Sequence, residues 1–139
     1  MALIDGFDKF DAYGRVYRQV LVEDLELTGG QIYEIPEGER VTLDVTRDTH
    51  FFIWAEVTPA SGYSGGLRLY WEVKAWEDWF PQVGDPMELS LEAGVVCAYD
   101  YLDVGDSPYA RLWKIQNLDP NNVVTVDRLL ILYKDSRRY

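Results

Sequence analysis

The fold is decided by the stretch LRLYWEVKA, residues 67–75. Apolar side chains alternate in it with polar ones: Leu67, Leu69, Trp71, Val73 and Ala75 against Arg68, Tyr70, Glu72 and Lys74. In a β-strand successive side chains point to opposite faces, so a period of two separates a buried set from a solvated set. The stretch therefore predicts a strand with one face on a core and the other face in water.

The same pattern, bounded by turns rich in Gly, Pro, Asp and Asn, recurs along the chain from residue 15 onward. It predicts eight further strands, at residues 16–27, 31–35, 41–46, 51–57, 87–91, 95–102, 109–118 and 123–133. No amphipathic helical pattern interrupts them. About nine short strands in 139 residues predict one all-β domain, an antiparallel β-sandwich of jelly-roll type. A closed barrel is the alternative.

Two details of the strands bear on packing. Phe51–Val57 and Val95–Leu102 are apolar at both parities, which is typical of central strands covered on both faces. In the first strand Val20 and Val22 have one parity and Leu25 the other. We predict a β-bulge at Glu23–Asp24, because one added residue reverses the phase of a strand.

The first 14 residues form a separate unit before the predicted domain, which spans residues 15–139. Their large apolar side chains are spaced by four, three and three positions: Leu3, Phe7, Phe10 and Tyr13. That spacing fits one helical face, but so short a segment is not a stable isolated helix. We therefore expect a docking arm that becomes ordered on its own domain or on another subunit, and we predict that these four residues bind a partner.

Composition narrows the classes of partner and compartment. The net charge is −11, with 24 acidic against 13 basic residues. Nucleic-acid affinity comes largely from Lys and Arg that neutralise phosphates, so free nucleic acid is not expected as a partner. Residues 1–5 lack the basic and apolar regions of a signal peptide, and no run reaches membrane-spanning length, so we expect synthesis in the cytoplasm and no membrane contact.

The chain carries few groups suited to catalysis. It has one histidine, His50, and one cysteine, Cys97, which lies within apolar sequence. A nucleophile needs an activating base, and a phosphate-binding loop needs glycines followed by a lysine and a helix. Neither arrangement is present in the sequence, so we predict a protein without enzymatic activity and without a cofactor.

Three aspartates near a glycine turn raise the alternative of a calcium site. Asp100, Asp103 and Asp106 offer the hard oxygen ligands that Ca²⁺ prefers, but their spacing is not that of an EF-hand loop. Asp and Gly are also ordinary turn residues. The prediction for this segment is a turn without metal, with calcium as the minor alternative.

The aromatic residues suggest a contact surface. Residues 76–81, WEDWFP, follow the strand at 67–75 and enter a predicted ten-residue loop. Large aromatic side chains in a loop are costly to expose unless something covers them. Either they cap the end of the sandwich, or Trp76, Trp79 and Phe80 bind a protein neighbour or a sugar ring.

Three functions of different classes follow. In general style the chain resembles structural proteins of tailed-phage virions, which are small, acidic, all-β and without a reactive constellation. The first hypothesis is therefore a capsid decoration, cement or head or tail accessory protein, located in the virion and homo-oligomeric, with a trimer as one form. The second is a carbohydrate-binding jelly-roll module that stacks sugar on Trp79. The third is a jelly-roll enzyme, which is disfavoured because metal sites of that kind need several histidines.

Overall fold

The computed structural model describes residues 16–44, 49–81, 86–92, 97–101 and 109–135. In these ranges the chain forms ten strands. They are β1 (Val16–Leu27), β2 (Ile32–Glu34), β3 (Thr42–Asp44), β4 (Thr49–Pro59), β5 (Ser64–Ala75), β6 (Asp78–Pro81), β7 (Met87–Glu92), β8 (Cys97–Tyr101), β9 (Tyr109–Asn117) and β10 (Val124–Asp135). The helical structure in the described ranges is one short 3₁₀ segment, Glu37–Glu39.

The strands form two sheets in which every pair is antiparallel. Sheet A has four strands in the order β1-β10-β4-β8. Sheet B has six: β9 and β5 pair in its centre, β2 and β3 both pair with the outer edge of β9, and β6 and β7 both pair with the outer edge of β5. Each of these two edge positions is thus one strand interrupted by a loop.

This order identifies the sandwich as a jelly roll. When β2 is joined to β3 and β6 to β7, eight strands remain, in the spatial order 1-8-3-6 in one sheet and 2-7-4-5 in the other. In that order strands adjacent in a sheet are distant in sequence except for the 4–5 pair, as in two interleaved Greek keys. The predicted fold class is confirmed.

The core lies between the sheets and is built from the alternating residues that the sequence indicated. Leu67, Leu69 and Trp71 of β5 face Ile53, Ala55 and Val57 of β4, and each of the six is at most 2% exposed. Each buried aliphatic side chain contributes about 2 kcal/mol by leaving water. The alternation in residues 67–75 therefore determines which face of sheet B meets sheet A.

The predicted bulge exists at a different place. The register of β1 against β10 shifts between Val20 and Val22, so the extra residue is Leu21 rather than Glu23 or Asp24. Leu21 is buried as a result, and Val20 lies on the opposite face. A bulge is defined by the partner strand, and the sequence of β1 alone shows only that the phase changes.

The predicted loop after β5 is also corrected. Residues 78–81 form β6, which pairs with β5 from Ala75↔Asp78 to Glu72↔Pro81. The connection is a two-residue hairpin turn, Trp76–Glu77, and not a ten-residue loop. Trp76, Trp79 and Phe80 therefore stand on a hairpin that extends sheet B.

A buried polar network joins three connections between the sheets at one end of the sandwich. β1 to β2, β4 to β5 and β9 to β10 each pass from one sheet to the other. Asn117, at the end of β9, has no exposed surface, and its amide donates to the carbonyl oxygens of Thr28 (2.9 Å) and Asn122 (2.8 Å). Its Oδ1 accepts from the Tyr63 hydroxyl (2.7 Å) and from the backbone N–H of Asp119 (3.0 Å). One side chain therefore bonds to all three connections.

Asp119 completes this network with a second buried side chain. Its carboxylate accepts backbone N–H groups from Ser64 (2.8 Å), Asn121 (2.9 Å) and Asn122 (3.1 Å). The N–H of Ser64, followed by that of Asn121, holds the pKa of Asp119 near 2, below its ordinary 3.8. Burial, followed by this carboxylate, raises the pKa of Tyr63 to about 12. Both groups are thus kept in the protonation state that the network needs.

The connections pack closely as well as bonding. A Cβ added to Gly29 would lie 2.5 Å from the carbonyl oxygen of Pro120, a distance that no side chain tolerates. The glycine therefore permits the backbone of the β1–β2 connection to touch that of the β9–β10 turn.

Replacement of Asn117 by Ala should lower the free energy of unfolding by about 3 kcal/mol, because several buried donors and acceptors lose their partner together. Urea unfolding measures this change. The matched control is Gln116→Ala: Gln116 is half-buried, accepts from Tyr70 on the outer face, and should cost less than about 1 kcal/mol. Equal costs at the two positions would show that the network does not stabilise the sandwich.

The lowered pKa of Asp119 gives a pH dependence of definite sign. Its contribution to stability is fully present above the unfolded pKa of 3.8 and is lost as pH falls through about 2. The stability advantage of the native chain over Asp119→Asn should be constant from pH 7 to about pH 5 and should shrink between about pH 4 and pH 2. Urea unfolding of both proteins across this range tests it; an advantage that persists unchanged at pH 2 would contradict it.

Candidate functional site

The large apolar side chains that are most exposed in the described ranges all belong to sheet B. Trp76 is 96% exposed, Ile32 53%, Phe80 48% and Tyr109 37%. Ile32 pairs with Gln116 and Tyr109 with Asp44, near opposite ends of β9, and Trp76 and Phe80 stand on the β5–β6 hairpin. Two exposed aromatic side chains on one hairpin, Trp76 and Phe80, make that hairpin a candidate interaction surface.

The turn of the β5–β6 hairpin holds Trp76 in an unfavourable backbone conformation. Its φ is +56°, in the left-handed region, which is uncommon for a bulky residue and costs about 1–2 kcal/mol. Neither Gly nor Asn is present at the turn. A large side chain that is both strained and almost fully exposed is unfavourable to the isolated chain, so it is a candidate for a role in binding.

Trp79 lies on the outer face of sheet B and is covered by cations. The Arg111 guanidinium lies 4.1 Å from the centroid of its ring, and Lys74 Nζ lies 5.8 Å from it. Lys74 also lies 5.7 Å from the ring of Tyr109. A cation over an indole face is attracted by the ring quadrupole and occupies the face that a sugar ring would stack on. The arrangement fixes the hairpin against β5 and β9.

Beneath this stack lies an ion-pair cluster that the β2–β3 loop brings together. Glu72 of β5, 8% exposed, accepts from Arg111 (2.8 Å) and Arg40 (3.2 Å). Glu37 in the loop bonds Arg111 at 3.1 Å. Loss of one partner of such a pair costs about 3–5 kcal/mol because it leaves a buried charge unpaired. The cluster therefore holds Arg111 under Trp79.

The side chains described on the outer face of sheet B carry nearly balanced charges, although the whole chain is acidic. They include five cations, Arg40, Arg68, Lys74, Arg111 and Lys114, and four carboxylates, Glu34, Glu37, Glu72 and Glu88. Glu77 and Asp78 of the hairpin change this balance of +1 to −1, against −11 for the whole chain. The balanced charges of these side chains do not strongly oppose the approach of another acidic molecule.

The structure describes some of the site residues predicted from the sequence and not others. Trp76, Trp79 and Phe80 are brought to one hairpin, with Trp76 and Phe80 exposed and Trp79 half-buried. Leu3, Phe7, Phe10 and Tyr13 lie outside the described residues, so their partner contacts stay a prediction. Of the calcium alternative, Asp100 lies in β8, and Asp103 and Asp106 are outside the described ranges.

The described ranges can be assessed for metal-binding clusters and for membrane-spanning helices. They contain no cluster of three His, Cys, Asp or Glu side chains placed to hold a metal ion. They also contain no helix that is long and apolar enough to cross a membrane.

Sequence reasoning missed Arg111 and Glu72 as the residues that position Trp79. They are 39 residues apart, and their strands become neighbours only through the jelly-roll order. One indication of this cluster was present in the sequence. Arg68, Glu72 and Lys74 occupy alternate positions of β5, which predicts that their charges lie together on its outer face.

A concavity lies at the edge of the sandwich, between β1 and the β2–β3 connection. It has a volume of about 360 Å³, and its surface is more polar than apolar, although Val20, Val22 and Ile35 contribute to the lining. Glu23 and Glu39 stand at its margin. It would repel the acidic turn residues Glu77 and Asp78, so it is not complementary to the hairpin of a second copy.

Comparison with known proteins identifies the fold. No protein-family model and no curated protein matches the chain. A chain in the structure of infectious bursal disease virus, Gx strain, matches with a TM-score of 0.52 and 10% identity over 92% of this chain and 35% of that one. The chain thus spans about a third of the length of that viral protein.

Other solved structures match less closely. The EclA C-terminal domain, a sugar-binding protein, has 16% identity and a TM-score of 0.38, over 94% of this chain and 82% of that one. The enzymatically active domain of bacteriophage CBA120 tailspike protein 4 has 9% identity and a TM-score of 0.38, over 92% and 21%. At these identities the likeness concerns the fold alone.

The strain at Trp76 predicts an inverted order of stability for two variants. At ordinary positions Ala is favoured over Gly by about 0.5–1 kcal/mol. At a φ of +56° Gly should be favoured, because it lacks the Cβ that makes this region costly. Urea unfolding should therefore find Trp76→Gly more stable than Trp76→Ala by about 0.5–1 kcal/mol. The opposite order would show that the turn is not strained.

Proposed function

We propose that this protein is a non-enzymatic structural subunit of a large protein assembly and that the β5–β6 hairpin with the outer face of sheet B is its contact surface. The observation that carries the proposal is Trp76, a strained tryptophan with 96% of its surface in solvent. Tryptophan is among the residues that contribute most at protein interfaces when a pocket encloses it. Burial of Trp76 and Phe80 contributes on the order of 2 kcal/mol each.

The geometry supports a pre-organised contact. The cation stack on Trp79 and the ion pairs of Arg111 hold the hairpin before a partner arrives, so little freedom is lost on binding. The near-neutral charge of the face lets it approach an acidic surface, including that of a second copy. The remaining net charge affects the association rate and its salt dependence more than the affinity.

For the class of assembly we propose a virion. A jelly roll shared with a chain of a virus supports this placement, and the acidic, all-β character supports the narrower hypothesis of a tailed-phage decoration, cement or head or tail accessory protein. The partners would be protein subunits of the shell and further copies of this chain. Carbohydrate binding is the alternative; against it, a ring face of Trp79 is occupied by Arg111.

The test is the mass of the native particle over a concentration series, with and without purified phage capsid shells. We expect either a defined oligomer or co-sedimentation with the shells. Trp76→Ala should weaken that association by about tenfold or more, since it removes a central aromatic contact. Ser61→Ala, an exposed position in the β4–β5 connection and outside the proposed contact surface, is the matched control and should leave it unchanged.

Two outcomes would contradict the proposal. One is a monomer at all concentrations that binds no shell. The other is a monomer that binds polysaccharide and loses that binding in Trp76→Ala, which would favour the carbohydrate-binding alternative.

A further inference from the structure

The outer face of sheet A contains two leucines that are buried without belonging to the core. Leu129 and Ile131 of β10 point inward and are part of the core cluster. Leu130 and Leu132 alternate with them and so point outward, and neither belongs to that cluster. Even so, in the single chain Leu130 is 0% exposed and Leu132 4% exposed.

The cross-strand neighbours do not account for this burial. Leu130 is flanked by Val20 and Trp54, and Leu132 by Arg18 and Phe52. Neighbours of this kind border a side chain in the plane of the sheet, and the side away from the sheet would stay open to water. Val20, Phe52 and Trp54 are themselves half-buried, so the cover extends over three strands. The almost complete burial of the two leucines calls for a third layer over this part of the face.

We infer that the third layer is the N-terminal arm, residues 1–14 of the same chain. The arm precedes Val16, which pairs with Lys134, two residues from Leu132. Fourteen residues span about 20 Å as a helix, and four strands span about 15–20 Å, so the arm can cross the sheet. Its apolar positions, Leu3, Phe7, Phe10 and Tyr13, supply the surface that the two leucines require.

The other segments outside the described ranges suit this role less well. Residues 45–48, 82–85, 93–96 and 136–139 have four residues each. Residues 102–108, LDVGDSP, contain two aspartates and only two aliphatic side chains. The arm is the longest segment and the richest in aromatic residues. With this placement the arm docks on its own domain. The sequence left two docking sites open, this one and another subunit.

Thiol labelling tests this assignment directly. In a Cys97→Ser background, Leu132→Cys should react with maleimide about tenfold or more faster in a chain lacking residues 1–14 than in the full chain. A synthetic peptide of residues 1–15 added to the shortened chain should slow the reaction again. The control is Thr42→Cys, exposed on sheet B, which should react at one rate in both forms.

If the shortened chain does not fold, full-length variants replace it. Phe10→Asp should accelerate labelling of Leu132→Cys, and Lys9→Ala in the same segment should not. Equal labelling rates in chains with an intact and an altered arm would overturn the inference. Protection that disappears on dilution would also overturn it, because the arm would then come from another copy.

Discussion

The sandwich depends on the hydrogen bonds of Asn117. In the described ranges the two sheets share no backbone ladder, so they are held together by the apolar core and by the connections that pass between them. At one end three such connections converge, and the Asn117 amide fills its four hydrogen-bonding positions with groups from all of them. Because apolar packing is non-directional, these directional bonds fix which residues of one sheet oppose which residues of the other.

The two outer faces differ, and the difference directs the functional proposal. Sheet A presents Leu130 and Leu132, which are already buried within the chain. Sheet B presents a stack of cations on aromatic rings, a nearly balanced set of charges and the exposed Trp76. Leu130 and Leu132 offer almost no surface to a partner. The open and pre-organised face of sheet B is therefore the one that we propose as the contact surface.

The sequence predicted the parts of the fold that rest on local alternation. The faces of β5 follow from residues adjacent in the chain, and the all-β sandwich follows from the number and spacing of strands. The bulge was predicted at Glu23–Asp24 and lies at Leu21, because the register is set by both strands of a pair and the sequence of one strand does not show it. β6 was missed because the turn at Trp76 lacks the glycine or asparagine that marks such hairpins.

The candidate site was predictable in composition but not in arrangement. Trp76, Trp79 and Phe80 were identified as candidate contacts from their setting next to a strand. Which of them is free depends on Arg111, which covers Trp79 and comes from a strand more than 30 residues away in sequence. The loop network was not predicted for the same reason, because Asn117 and Tyr63 are far apart in sequence and meet only in the folded chain.

The central claim is that Trp76 is buried by a partner in the assembled state. Hydroxyl-radical footprinting of the assembled and the dissociated protein measures this at single residues. The account predicts that oxidation of Trp76 falls several-fold on assembly, while Trp71, 2% exposed in the core, is protected in both states and serves as the internal reference. Equal oxidation of Trp76 in the two states would contradict the account.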